Sequence, residues 1–384
     1  MKLQEEGFDI TTNGGTLIVR DVPYLDARGE VRRGTLTSAL DLADDRTVNP
    51  VGAHVMHFAG EKPHRPDGTP IPAVIGEGLQ ETYGGVAVDL QLSTKPLGGV
   101  PYRDYHHKVT TYAEVLGAPA RRLDLSATAR THPVIVDEDE DSVFKYVDNA
   151  SSRLGLEALS DRLAVGAVAI IGLGGTGSYL LDLLAKTPIG QIHLFDDDLF
   201  LQHNAFRAPG APTNEVLAAR PHKVSYLASI YSAMRRGIVE HPYRVDEATI
   251  GELCEMNFVF IAVDDGAARS AIATQLQEFG VGFIDVGLGV KESAGVLTGL
   301  IRTTAVTPGH EHAERRLPGG GGGDDDYTRN IQIAELNALN AVLAVIKWKK
   351  LVGFYGDIEG EYHSLYALTS NHLINEDKSF ESAA

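Results

Sequence analysis

The sequence predicts an α/β protein: a Rossmann-like, mostly parallel sheet with helices on both faces, plus a separate N-terminal α+β domain. Three observations carry this. Past about residue 150, apolar runs of strand length alternate with segments of helical period, the pattern of a parallel sheet covered on both faces. The first such run, Val165 to Ile171, ends in Gly172-Leu173-Gly174-Gly175-Thr176-Gly177 and leads into a helical segment. Before about Pro133 the chain instead reads as short β-like runs broken by Gly and Pro.

In chain order, Thr16-Leu17-Ile18-Val19 and Val86 to Leu90 read as strands, and Pro63 to Pro72 as a loop. The acidic run Asp137 to Asp141 reads as a solvated linker and suggests domains at 1–143 and 144–384. Ser160 to Leu163 ends a helix. After the glycines, Ser178 to Lys186 reads as a helix with Leu180, Leu181, Leu183 and Leu184 on its apolar side. Ile192 to Phe195 reads as a strand, Val224 to Arg235 as a helix and Phe258 to Val263 as a buried strand. Ala268 to Phe279 reads as a helix, and Gly282 to Val286 and Val296 to Ile301 as strands. Leu317-Pro318 and Gly319 to Gly323 cannot hold a fixed shape alone. A helix from about Ile331 to Trp348 is apolar around most of its circumference, so it must be buried on several sides. The polar tail from Glu376 to Ala384 is expected to fray.

Bulk composition removes several function classes. The net charge of −18 argues against a nucleic-acid surface, which needs a basic field. The single cysteine, Cys254, excludes an internal disulfide framework and a four-cysteine zinc site. Met1 to Ile10 holds Glu5, Glu6 and Asp9 and no long apolar run, so no signal peptide is expected. No stretch approaches the roughly 20 apolar residues that span a bilayer. A cytoplasmic protein is expected.

The chemistry-bearing residues begin at the glycines. A strand, a glycine turn and a helix make a phosphate cradle, because glycine lets backbone approach an anion and helix N-terminal N–H groups point at it. Alone this signal is weak, since dinucleotide dehydrogenases share it. Its company sharpens it. Asp196 and Asp198 follow the second strand, then Asn204 and Arg207; Lys223 opens a helix; Asp264 and Asp265 close the strand from Phe258. Ligands of open α/β sheets bind at the carboxyl ends of strands. Cations for phosphates, with acids able to hold Mg²⁺, suit a nucleoside triphosphate better than NAD.

This constellation resembles the nucleotide-binding region of the ThiF/MoeB/ubiquitin-activating-enzyme superfamily. The resemblance covers roughly residues 150 to 350. It rests on the doubled glycine, the Asp-x-Asp, the Asn-x-x-Arg, Lys223 in a Lys-Val pair, and Asp264. It implies adenylation, with ATP and Mg²⁺, of the C-terminal carboxylate of a ubiquitin-like protein or peptide. It implies phosphate roles for Arg207, Lys223 and Arg153, the last reaching a neighbouring subunit's ATP in a homodimer. Asp264 would hold the metal and Asp196 the ribose. Asp198 and Asn204 would order the phosphates, over the cradle of Gly172, Gly174, Gly175 and Gly177. The glycine-rich segment 319–323 would be a crossover beneath which the substrate tail threads. Residues 1–143 would recognise the substrate or a partner, such as a conjugating enzyme or deubiquitinase-like protein.

Departures from the family matter too. The paired Cys-x-x-Cys zinc ligands of many relatives are missing, and the crossover region, about Thr303 to Arg329, has no cysteine for a self-thioester. Cys254 reads as a packing residue. Asp197 reads as a solvated bystander, Asp265 as a helix N-cap, and Arg269 as a partner for Asp264 or Asp265. His54, His57, His64, His106-His107 and His310-x-His312 match no metal spacing. A catalytically silent ATP-binding scaffold and an NAD-dependent oxidoreductase remain as alternatives.

Overall fold

The computed structural model describes residues 2–43, 46–47, 54–96, 98–137, 139, 141–148, 157–317 and 331–378. It divides into two compact units, residues 1–135 and 136–384. The acidic run lies just past that division, with Glu138 and Glu140 outside the described residues.

The first unit is an antiparallel sheet with one long helix. Its strands are β1 (Asp9–Asn13), β2 (Thr16–Leu25), β3 (Val31–Ala39), β6 (Val55–Ala59), β7 (Val74–Tyr83) and β8 (Val86–Ser93). Two short strands, β4 (Leu42–Ala43) and β5 (Arg46–Thr47), pair apart from it. The main order is β1-β2-β3-β6-β8-β7. The helix Tyr105–Arg121 packs Val109, Tyr112 and Leu116 against Leu36, Phe58 and Leu92, all at most 1% exposed. Each such side chain contributes about 1.5–3 kcal/mol when fully buried.

The second unit is an eight-stranded sheet in the order β11-β10-β9-β12-β13-β14-β15-β16. The strands are β9 (Ala167–Ile171), β10 (Gln191–Phe195), β11 (Ile238–His241), β12 (Phe258–Ile261), β13 (Phe283–Ser293), β14 (Val296–Val306), β15 (Glu361–Ala367) and β16 (His372–Lys378). The pairings from β11 through β13 are parallel, and those from β13 through β16 are antiparallel. Val168, Ile170, Ile192, Leu194, Val259 and Phe260 are fully buried, which is why these strands read as continuous apolar runs. Sequence order reverses across β9, whose neighbours are β10 and β12, and this opens a crevice at the strand ends.

Several elements differ from the sequence expectation. The glycine helix starts at Gly175, not Ser178, because the glycines themselves form its first turn. The helix expected to reach Arg235 runs only from Lys223 to Tyr231. Arg235 is instead fully buried and donates to the carbonyl of Thr187 at 3.1 Å. β13 and β14 are each 11 residues long and form a hairpin through Ala294 and Gly295, both at positive φ. The distal half of β13 holds exposed Lys291, Glu292 and Ser293, so an apolar-run reading stopped short there, and in β14 it stopped at Ile301 because Arg302, Thr303 and Thr304 interrupt the apolar run. The tail is not frayed through Lys378: it pairs as β16, while residues 379–384 lie outside the description. The long helix spans Ala334–Leu351 and buries Trp348 completely. Among the described residues no helix is long and apolar enough to cross a membrane.

Candidate functional site

The glycine turn at the end of β9 is held by its neighbours. Gly172, at φ +88°, donates its N–H to the Phe195 carbonyl at 2.8 Å. A Cβ on Gly177 would fall 1.8 Å from the Gly172 oxygen, so only glycine lets the helix close on the turn. Leu173 N–H donates to Asp196 at 2.6 Å, tying the turn to the acid after β10.

Asp196 is the hub of the next layer. Its side chain is 8% exposed and also accepts the Asp198 N–H at 2.9 Å. Lys223, 6% exposed at the start of its helix, puts Nζ 2.6 Å from Asp198 and 3.3 Å from Asp196. The hydrogen bond from Lys223 holds the Asp198 carboxyl below the usual carboxylate range. Lys223 N–H also donates to the Asp198 carbonyl at 2.9 Å, so the two are tied through backbone as well.

One cavity of about 310 Å³ lies over the ends of β9, β10, β12 and β13. Gly172, Gly174 and Gly175, Asp196, Asp198, Arg207, Lys223 and Asp264 all line it. Asp264 is exposed there, and its carboxylate has no hydrogen-bond partner among the described residues. The Arg207 Nε is likewise unpaired. Gly177 works from behind, as packing. Asn204 is not among the lining residues: it is 3% exposed, its side chain accepts the Leu201 N–H at 2.8 Å, and its carbonyl accepts the Arg207 N–H at 3.1 Å. It shapes the turn that presents Arg207. Arg153 lies outside the described residues.

Other expected partners sort differently. Asp265 caps its helix by accepting the Ala267 and Ala268 N–H groups, and this backbone bonding, Ala268 first, lowers its carboxyl. Arg269 pairs with neither Asp264 nor Asp265. It lies 2.9 Å from Asp285, a fully buried acid on β13 that also pairs with Arg302. Asp197 is exposed but sits 3.3 Å from Arg244. Cys254 is exposed on a short 3-10 turn, Ile250–Glu255, so the packing reading is wrong; its neighbour Leu253 fills the core instead. His57 stacks on Tyr83, a His64 ring nitrogen lies 2.8 Å from the Lys62 carbonyl, and His106 lies 2.7 Å from Glu6. His310 stacks on Tyr362, and the His312 side chain lies outside the described residues.

The chain was compared with known proteins. The ThiF family model matches residues 146–319. Residues 146–319 are thus similar to the ThiF family. Residues 1–149 match a second family, described as a domain of unknown function, DUF6791. Ubiquitin-like modifier-activating enzyme 5 of Gallus gallus is 27% identical over 157 residues, 38% of this chain and 40% of that protein. The Xenopus laevis protein of that name is 26% identical over the same length, again 38% and 40%. The match thus spans about 40% of these relatives' length. A crystal structure of E. coli MccB with MccA-N7isoASN superimposes with a TM-score of 0.49 at 16% identity, covering 61% of this chain and 73% of that one. SeMet PaaA gives 0.43 at 17%, covering 57% and 75%.

The sequence reading drew attention to the glycines and charged residues of the cavity but missed another part of its wall. Gly287 and Leu288 of β13, Arg302 of β14, and Gln332, Asn337 and Asn340 also line it. The asparagines had a signal: two polar residues three apart on the buried stripe of a helix whose other residues from Leu336 to Ile346 are apolar.

Proposed function

We propose that the ThiF unit uses ATP and Mg²⁺ to adenylate the C-terminal carboxylate of a peptide or ubiquitin-like protein. One observation carries the reading: a single cavity gathers the glycine turn, Arg207, Lys223, Asp196, Asp198 and Asp264 from five separate stretches of chain. The names of the modifier-activating relatives support the substrate class.

In this reading a carboxylate oxygen attacks the α-phosphorus. The bond from that phosphorus to the β-bridging oxygen breaks, and pyrophosphate leaves with the bridging electrons. Attack of one anion on another needs positive charge placed in advance. Arg207 offers an unpaired Nε–H. Lys223 has three donors, of which Asp196 and Asp198 engage two, leaving one for a phosphate oxygen. Asp196 keeps acceptor capacity beyond its two backbone bonds and Lys223, enough for a ribose hydroxyl. The unpartnered Asp264 carboxylate fits Mg²⁺, a hard cation that takes few protein carboxylates besides water and phosphates and would neutralise charge on the leaving pyrophosphate. Arg153 would add charge across a homodimer, and Asn204 would act through the turn it holds.

The acyl-adenylate would pass to an external thiol or amine, since Cys254 is absent from the pocket lining. Residues 1–143 would recognise the substrate or a conjugating or deubiquitinase-like partner. Calorimetry should give ATP binding and no NADH binding. Lys223→Ala and Asp264→Ala should each lower ATP–pyrophosphate exchange by about 10²–10³ while the melting transition survives. Full exchange in both variants would remove the assignments.

A further inference from the structure

Besides Gln332 Oε1, the cavity wall beside the glycine turn holds two further buried polar atoms with no partner among the described residues: Asn337 Nδ2, a donor, and Asn340 Oδ1, an acceptor. Both residues are 1% exposed, and both line the cavity. Their other amide atoms are committed. Asn337 Oδ1 accepts the Thr176 hydroxyl at 3.1 Å, and Asn340 Nδ2 donates to the Gly287 carbonyl at 3.3 Å. Gly175 permits this, because a Cβ there would fall 2.1 Å from Asn337 Nδ2. The amides are thus fixed from behind, each with one hydrogen-bonding edge left over.

A buried, unpaired polar atom costs about 1–3 kcal/mol, so two on one cavity wall call for a ligand. Residues three apart on a helix differ by about 4.5 Å in rise. A donor and an acceptor so placed complement the N–H and C=O of one residue in an extended chain, which point to the same side, as in a hydrogen-bonded antiparallel pair. The location favours peptide over nucleobase. The ribose acid ends β10, whereas Asn340 stands beside Gly287 on β13, three strand spacings or roughly 14 Å away, and Asn337 rests on Gly175 and Thr176 at the head of the glycine helix.

We infer that Asn337 and Asn340 clamp the main chain of one residue near the carboxyl terminus of the substrate. Asn337 donates to that residue's carbonyl, and Asn340 accepts from its N–H. The clamp reads backbone, so it admits many side chains but rejects proline or any residue without an N–H. This rests on the adenylation reading of the same pocket.

The probe is a hexapeptide with a free carboxyl end, taken by ATP–pyrophosphate exchange from a pool randomised at its last three residues. It is then N-methylated at each of those residues in turn. One methyl position should raise KM about tenfold or more in the wild type and less than about twofold in Asn340→Ala, the signature of a coupled pair. Asn340→Asp, which keeps an acceptor, should keep the methyl penalty and guards against a folding defect in the alanine variant. Asn337→Ala should weaken peptide binding by calorimetry and leave the ATP Kd unchanged. A flat methyl scan with exchange intact overturns the clamp alone, as does a methyl penalty equal in wild type and Asn340→Ala. Loss of ATP affinity in the asparagine variants would reassign them to the nucleotide. No exchange by the wild type with any member of the pool overturns the adenylation reading and the clamp with it.

Discussion

Single residues in the pocket are coupled more tightly than separate roles suggest. Asp196 holds the glycine turn through Leu173, the next turn through Asp198, and Lys223 through its charge. The same economy governs the glycines. Gly177 is far stricter than Gly174, whose Cβ would meet nothing within 4 Å. Gly177→Ala should therefore cost about 1–3 kcal/mol of stability through forced overlap and weaken ATP binding, while Gly174→Ala should leave the melting temperature nearly unchanged. Calorimetric titration and thermal melts on the two variants check this; equal behaviour would remove the special role of Gly177.

At the scale of elements, the C-terminal hairpin is locked onto the long helix by charge. Lys347, 5% exposed, lies 3.0 Å from Asp357, and Lys350 lies 2.9 Å from Glu361. Burial works to raise the Asp357 carboxyl, but the hydrogen bond from Lys347, the Gly360 N–H and the two lysine charges outweigh it and leave it at about 2. A carboxyl lowered by folding adds stability above its unfolded value, near 3.9, and loses it as pH falls through the folded value. Asp357→Asn should therefore be less stable than the wild type at pH 6, with the gap closing between about pH 4 and 2. Melting curves across that range test it; a gap that persists at pH 2 would point to packing rather than charge.

For the whole molecule the open element is subunit partnership. If Arg153 serves a neighbour's ATP, then Arg153→Ala and Lys223→Ala dimers are each inactive, yet a mixed dimer has one intact site. Co-refolding the two variants should restore up to about a quarter of wild-type exchange, since half the dimers are mixed and each has one good site. No recovery, with mixed dimers demonstrated by mass, would place Arg153 in its own subunit's site or outside it. The N-terminal unit has its own buried core, with Val19, Leu36 and Phe58 fully inside, so its removal is a separate test of substrate recognition.

The sequence by itself determined the Rossmann-like half of the fold. It also determined the glycine-turn side of the pocket, because strands buried on both faces are apolar without interruption and a run of glycines after such a strand marks a tight turn. Arg207, Lys223 and Asp264 sit tens of residues apart, yet each falls at a strand end or helix start that local pattern can place. What only tertiary structure decided were the pairings between distant segments. Arg269 found Asp285 rather than its nearer neighbours, and Asn204 turned away from the cavity to hold a turn. Cys254 stayed outside the core, and Asn337 and Asn340 turned a buried helix face into a cavity wall. Periodicity reports which face of an element is buried. It does not report which side chain from another element meets that face, and hydrogen bonding in a buried site is decided by that meeting.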